Sequence, residues 1–243
     1  MNLHVIHTAR EAELEGFEGA MVVVIDVLRA TTVIATALSA GASRIYPAVT
    51  VEDAFDLRSS IPDALLCGER EGFAVSGFDY GNSPVEIASV DLTGRDIILT
   101  TTNGTRASKA AANAAFLLAA SLVNLGSVAD WMRKQIAISE DIASIFIVCS
   151  GTNERYSIDD VYVAGRLIRM LEGVSFSLSD SAKASMMLAE FRPDEIINPE
   201  VCFHAGFLNE KGLYRDVDYL LAGDRLTSVP RFRNGYFYEA DDR

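Results

Sequence analysis

The sequence predicts an α/β protein: a layered α/β/α fold built from two βαβαβ-like halves, with a helical C-terminal region. Three observations carry this. Short, wholly apolar runs such as Met21–Ile25 read as strands covered on both faces. Alanine-rich stretches of helical character alternate with them, as in parallel βαβ units. The order strand, polar elbow, helix, strand, helix, strand, then a glycine with Glu-Arg close behind, occurs twice, over Met21–Arg70 and over Asp96–Arg155.

Strands are expected at Leu3–Ile6, Met21–Ile25, Ser43–Tyr46, Ala64–Cys67, Asp96–Thr100, Ala115–Leu118, Ser144–Cys149 and Leu226–Val229. Helical patterns fall at Thr31–Ala40, Val51–Ser60, Thr105–Asn113, Asn124–Lys134 and Ile158–Glu172, then at Asp180–Glu190, Asn198–Leu208 and Gly212–Ala222. Ser157 with Asp160 three residues later resembles a capping box with Asp in place of Glu. Glu71–Thr93, holding several glycines, Asn82 and Pro84, reads as a long irregular loop of the kind that often carries function. The chain 1–243 reads as a single unit, and the repeated order divides it into pseudo-duplicated halves near 1–92 and 93–243. Ordinary βα alternation accounts for the same pattern without duplication.

With 243 residues, 49% of them apolar, the chain has ample material for a core. A net charge of −13 works against non-specific nucleic-acid binding, which depends on Lys and Arg at phosphates. The same charge repels an anionic substrate, so such a site needs local arginines or a bound cation to reverse the field, which favours a metal. Three cysteines, an odd number, and the absence of a secretory pattern at Met1–Ala20 point to a reducing cytoplasm. The apolar runs are too short or too interrupted to span a bilayer. A homodimer rests only on how commonly soluble enzymes self-associate.

Val22-Val23-Val24-Ile25 runs straight into Asp26, with Arg29, Thr31 and Thr32 next in line. This puts charged chemistry where a buried strand meets a helix start, the usual ligand position of an open α/β sheet. Asp26 can serve there as nucleophile, magnesium ligand or helix cap. The second elbow, Thr100 to Arg106, offers Thr102, Asn103, Gly104 and Thr105, hydroxyls and close-approaching backbone suited to phosphate or sulfonate oxygens, or simply a common Asn-Gly turn. Gly68-Glu69-Arg70 and Gly151 to Arg155 each set a carboxylate and a guanidinium just past a strand. Glu69 or Glu154 would hold metal or act on water, and Arg70 or Arg155 would pair with substrate oxygens. Asp159 and Asp160 open the next helix, where a favourable dipole position explains at least one of them. His4, His7 and His204 form no zinc set and read as structural or surface residues, and Cys67 and Cys149 read as small core residues.

Five stretches in this order resemble the ComB family, the magnesium-dependent 2-phosphosulfolactate phosphatases: Ile25 to Thr32, Gly68 to Arg70, Gly77 to Pro84, Thr100 to Arg106 and Gly151 to Ser157. The likeness covers most of Met21–Arg166 and weakens beyond Gly173. It implies a layered α/β fold, Mg2+, and hydrolysis of (2R)-phospho-3-sulfolactate to sulfolactate and phosphate, a step in making coenzyme M. Asp26, Arg29, Thr102, Asn103 and Gly104 match its motifs and carry over as site positions. The expected roles are Asp26 and Arg29 in chemistry, Asp26, Glu69 and Glu154 at the metal, and Thr31, Arg70, Thr102, Asn103, Gly104, Thr105 and Arg155 at the small anionic phosphorylated substrate. Haloacid-dehalogenase phosphatases also use a strand-end aspartate, but place a second two residues later, where this chain has Leu28. Two other readings stand beside this one: a phosphatase for another small phosphorylated acid, and a non-catalytic binder of small anions.

Overall fold

A computed structural model describes residues 1–139 and 141–240. Its first elements are β1 (Asn2–Ile6), α1 (Ala9–Ala12), β2 (Met21–Ile25), α2 (Ala30–Ser39), β3 (Arg44–Ala48), α3 (Val51–Ser60), β4 (Leu65–Arg70), β5 (Phe73–Ala74) and α4 (Pro84–Ile87). Next come β6 (Asp96–Thr100), α5 (Gly104–Ala110), β7 (Phe116–Ala120), α6 (Leu125–Ile138), β8 (Ser144–Cys149) and α7 (Ile158–Met170). The last are β9 (Ser177–Leu178), α8 (Asp180–Leu188), α9 (Pro193–Ile196), α10 (Phe203–Glu210), α11 (Tyr214–Leu221), β10 (Pro230–Arg233) and β11 (Tyr236–Glu239).

The fold is mixed, layered α/β. Residues on opposite faces of one strand enter different cores: Met21, Val23 and Ile25 of β2 join one, Val22 and Val24 another. β6 divides likewise, with Ile97 and Leu99 on one face and Ile98 on the other. Such two-sided burial is what an unbroken Val/Ile/Leu run demands. Among the described residues, no helix is long and apolar enough to cross a membrane.

The strands form one sheet in the order β5-β4-β6-β3-β11-β10-β7-β2-β8-β1-β9. β6 lies between β3 and β4, and β2 lies between β7 and β8, all parallel. The leading strand of each repeat is thus inserted between the other repeat's second and third strands. The two trios sit on either side of β10 and β11, so strands from 1–92 and from 93–243 interleave in the sheet.

The C-terminal region departs from expectation. Leu226–Val229 is irregular, and the strands come later, as the hairpin of β10 and β11. Asn234 and Gly235 at its tip have φ of +55° and +90°, which a tight two-residue hairpin turn requires. The hairpin joins the two trios through β7 and β3. The stretch Glu71–Thr93 is more ordered than the expected loop: it contains β5 and α4, the latter capped by Ser83 with Pro84 in its first turn. Ser157 and Asp160 form no capping box, because both side chains bond elsewhere.

Candidate active site

Both elbows open on one cavity of about 440 Å³, within the range of small-molecule sites. Asp26 and Arg29 from the first elbow line it with Thr101, Thr102 and Asn103 from the second. β4 and the turn after it contribute Glu69, Arg70, Glu71 and Gly72, and the long segment contributes Asn82. The wall is completed by Thr152 and Asn153 and by His204, Phe207, Leu208 and Lys211 of α10 and its end.

Asp26 stands one residue past β2 and is buried. Its Oδ1 accepts from the backbone N–H of Ala30 at 3.1 Å, and its own backbone is gripped by Thr31, whose hydroxyl donates to Asp26 O at 2.8 Å. Gly104 lets the second elbow press against this group: a Cβ there would fall 2.7 Å from Asp26 Oδ2 and 2.6 Å from the Ala30 Cβ. Two helix starts therefore meet at one carboxylate. Burial, reinforced by the charges of Asp159 and Glu69, nevertheless pushes the Asp26 carboxyl up to about 7.

Arg29 is buried in an ion pair with Asp216 of α11, Nη1 to Oδ2 at 2.6 Å, and donates to Gly72 O at 2.9 Å. Asp216 also accepts from the Ser83 hydroxyl, so one carboxylate fastens the arginine and the start of α4. Glu69 and Arg70 lie inside β4 rather than beyond its end. Glu69 accepts from Gly72 N at 2.8 Å and from the hydroxyl of Thr102 at 3.1 Å, tying β4 to the second elbow. Arg70 donates to Val49 O and Thr100 Oγ1. Lys211 rests over the rings of Phe73 and Phe207. Neither Arg70 nor Lys211 is paired with a carboxylate among the described residues.

Some expected site residues stand apart from the cavity wall. The hydroxyls of Thr31 and Thr105 turn back to the carbonyls of Asp26 and Thr101 and shape the elbows from within. Glu154 and Arg155 are exposed, and Glu154 pairs with Arg106 at 3.0 Å and Arg10 at 3.5 Å. The cause is local: Asn153 and Glu154 have φ of +52° and +59°, and Thr152 bridges Arg155, so the loop doubles back.

Other cavity groups escaped the sequence reading. His204, taken as structural, sits on the wall and bonds Thr152 at 3.3 Å. The buried Asn82 leaves Oδ1 without a partner among the described residues. Asp160 bridges the backbone N–H groups of Val27 and Gly151 at 2.9 and 3.1 Å, clamping two loops together. Asp159, buried among Asp26 and Asp160, accepts from Ser157 through Oδ1 but leaves Oδ2 with no partner among the described residues. A buried carboxylate oxygen without a donor calls for a ligand such as a cation or ordered water. The Gly77 to Pro84 stretch signalled Asn82, whereas nothing local signals His204.

The wall carries three carboxylates, Asp26, Glu69 and Glu71, against three cations, Arg29, Arg70 and Lys211, before Asp216 and Asp159 are added. Such a cavity does not attract a polyanion unless a cation joins it. Among the described residues no group of three His, Cys, Asp or Glu forms a ready metal cage. Magnesium does not require one, since it is commonly held by one or two carboxylates, waters and substrate phosphate.

The model of the 2-phosphosulpholactate phosphatase family matches residues 6–235. The chain belongs to that family. A protein of Carboxydothermus hydrogenoformans named probable 2-phosphosulfolactate phosphatase is 44% identical over 219 residues, covering 90% of this chain and 88% of its own. Proteins of the same name from Deinococcus radiodurans and Caldanaerobacter subterraneus are 42% and 37% identical, over 85% and 91% of this chain and 87% and 91% of theirs. The 2-phosphosulpholactate phosphatase family is one of phosphoric monoester hydrolases, and the cavity at the two elbows is the candidate active site.

Proposed function

We propose that this enzyme hydrolyses 2-phospho-3-sulfolactate, releasing phosphate and 3-sulfolactate, with Mg2+ as cofactor. The observation that carries the reading is the meeting of Asp26 and the Asn103–Gly104 elbow at one cavity that also holds two cations, Arg70 and Lys211, unpaired with any carboxylate among the described residues. The substrate bears three anionic groups on three carbons, and the wall offers separated donors for them. Arg29, fixed by Asp216, supports the phosphoryl oxygens; Arg70 and Lys211 stand for the carboxylate and sulfonate; Asn103 supplies a neutral donor, while the Thr102 hydroxyl holds Glu69 in place. In cells this activity serves sulfolactate and coenzyme M synthesis in the cytoplasm.

Asp26, Glu69 and the open oxygen of Asp159 are the groups that would hold Mg2+. Bound there, the ion would supply charge neutralisation and polarisation at a phosphoryl oxygen. Asp26 acts as ligand rather than nucleophile in this reading, since position 28 is leucine and supplies no partner acid to a phosphoaspartate. Water is then the attacking group.

Phosphate release from a panel of phosphorylated hydroxy acids, with and without a sulfonate, tests the reading. The sulfonated compound should be fastest, with activity lost to a chelator and restored by Mg2+. Preference for a substrate lacking the sulfonate assigns another acid. Saturable binding with no release at all marks an anion-binding protein. Phosphorus-32 retained on the protein would return Asp26 to the role of nucleophile.

A further inference from the structure

A hydrogen-bonded relay runs from the buried Asp159 to the cavity wall. Ser157 Oγ bonds Asp159 Oδ1, Thr152 Oγ1 lies 2.9 Å from Ser157 Oγ, and His204 Nδ1 lies 3.3 Å from Thr152 Oγ1. Each hydroxyl has one proton to give, and a carboxylate only accepts. The direction of every bond then follows from the Asp159 end. Ser157 donates to Asp159, so Thr152 donates to Ser157, and the only proton left for the last bond is the one on His204 Nδ1. The relay therefore holds His204 with its proton on Nδ1, leaving the lone pair of Nε2 to the cavity that the ring lines.

We propose that His204 is the general base of the hydrolysis, an inference that rests on the phosphatase reading above. Nε2 takes a proton from the attacking water as its oxygen bonds to phosphorus. The bond from phosphorus to the ester oxygen breaks, its electron pair stays on that oxygen, and solvent protonates it. The imidazolium then returns its proton to solvent, so one ester and one water become one alcohol and one phosphate. The charged groups around the ring are Asp159 of α7, Arg29 of the first elbow and Glu69 of β4, with Lys211 just past the end of its own helix. Burial outweighs Asp159 and holds the imidazole below its ordinary range, so the ring is a neutral base at pH 7.

The test compares the wild type with His204→Asn, whose amide keeps a donor near the Nδ1 position while removing the base. kcat should fall about 10²-fold or more, and the acid limb of its pH profile should shift to that of Asp26 alone, with inorganic phosphate still inhibiting at wild-type concentration. Thr152→Val should lower kcat about tenfold and move the His204 proton to Nε2 in nitrogen-15 NMR, and Thr152→Ser should restore both. Retention of more than a third of kcat in His204→Asn with an unchanged acid limb, or an Nε2 proton in the wild type, overturns the base assignment alone. A wild-type protein that hydrolyses nothing on the panel overturns the phosphatase reading, and the base assignment falls with it.

Discussion

The two elbows hold equivalent places in the sheet yet divide the work. β2 and β6 each lie between a parallel pair of the other repeat, and each feeds a helix start at the same cavity. The first elbow carries Asp26 and Arg29, both buried: Asp26 is held by Ala30 and Thr31 of the same elbow, and Arg29 by Asp216 far along the chain. The second carries threonines, Asn103 and Gly104, and no ionisable group before Arg106. Charged chemistry sits on one elbow, and the other supplies backbone close enough to enclose it. A symmetric framework thus makes an asymmetric site.

Removing the charge from the first elbow should have the largest effect. Asp26→Asn is expected to lower kcat about 10³-fold in a phosphate-release assay, and retention of more than about a tenth would take Asp26 out of the chemistry. The same variant exposes the cost of burying that charge. Burial pushes the folded carboxyl up to about 7 from an ordinary value of 3.8, so the folded state holds the extra proton between those pH values. Its contribution to stability is complete below the unfolded value and is lost as pH rises through about 7. Without divalent cations, wild-type stability in urea should fall from pH 5 to pH 8 at up to about 1.4 kcal/mol per unit, and Asp26→Asn should flatten that slope. Asp216→Asn comes next. It strips a buried guanidinium of its counter-charge, with an expected loss of about 3 kcal/mol in urea unfolding and a raised KM as Arg29 moves.

What the sequence disclosed follows the same division. Met21–Ile25, Asp96–Thr100 and Ser144–Cys149 were expected with the bounds they have, because strands covered on both faces leave a continuous apolar run. β10 and β11 escaped that rule: Arg231-Phe232-Arg233 and Tyr236-Phe237-Tyr238 mix polar and aromatic residues around Asn234-Gly235, so the turn was the stronger signal. The elbows were legible because their chemistry follows the strand directly. Glu154 and Arg155 were misplaced because spacing gives the distance past a strand but not the positive φ that turns a loop away. His204, Lys211 and Asp216 lie far from the elbows in sequence, and only tertiary packing brings the first two to the cavity wall and the third to Arg29.

Smaller changes probe the second elbow and sharpen the contrast. Gly104→Ala drives a methyl group against Asp26 Oδ2 and the Ala30 Cβ, and should cost about 1–3 kcal/mol of stability. Its kcat should fall about tenfold or more, since a displaced carboxylate loses alignment. Gly16→Ala, with nothing within 4 Å of the new methyl, is the control. The finest test pairs Thr31→Val with Thr105→Val. Each removes one hydroxyl from inside an elbow and should cost about 1 kcal/mol, measured by urea unfolding. Their kinetics should separate: Thr31 also accepts from the backbone N–H of Asp26 at 3.1 Å, so its loss loosens the acidic group itself, whereas Thr105 steadies only Thr101. Thr31→Val should therefore lower kcat several-fold more than Thr105→Val at equal stability loss. Equal kinetic losses would mean that the two elbows contribute alike, and that charge on one of them does not set the site's asymmetry.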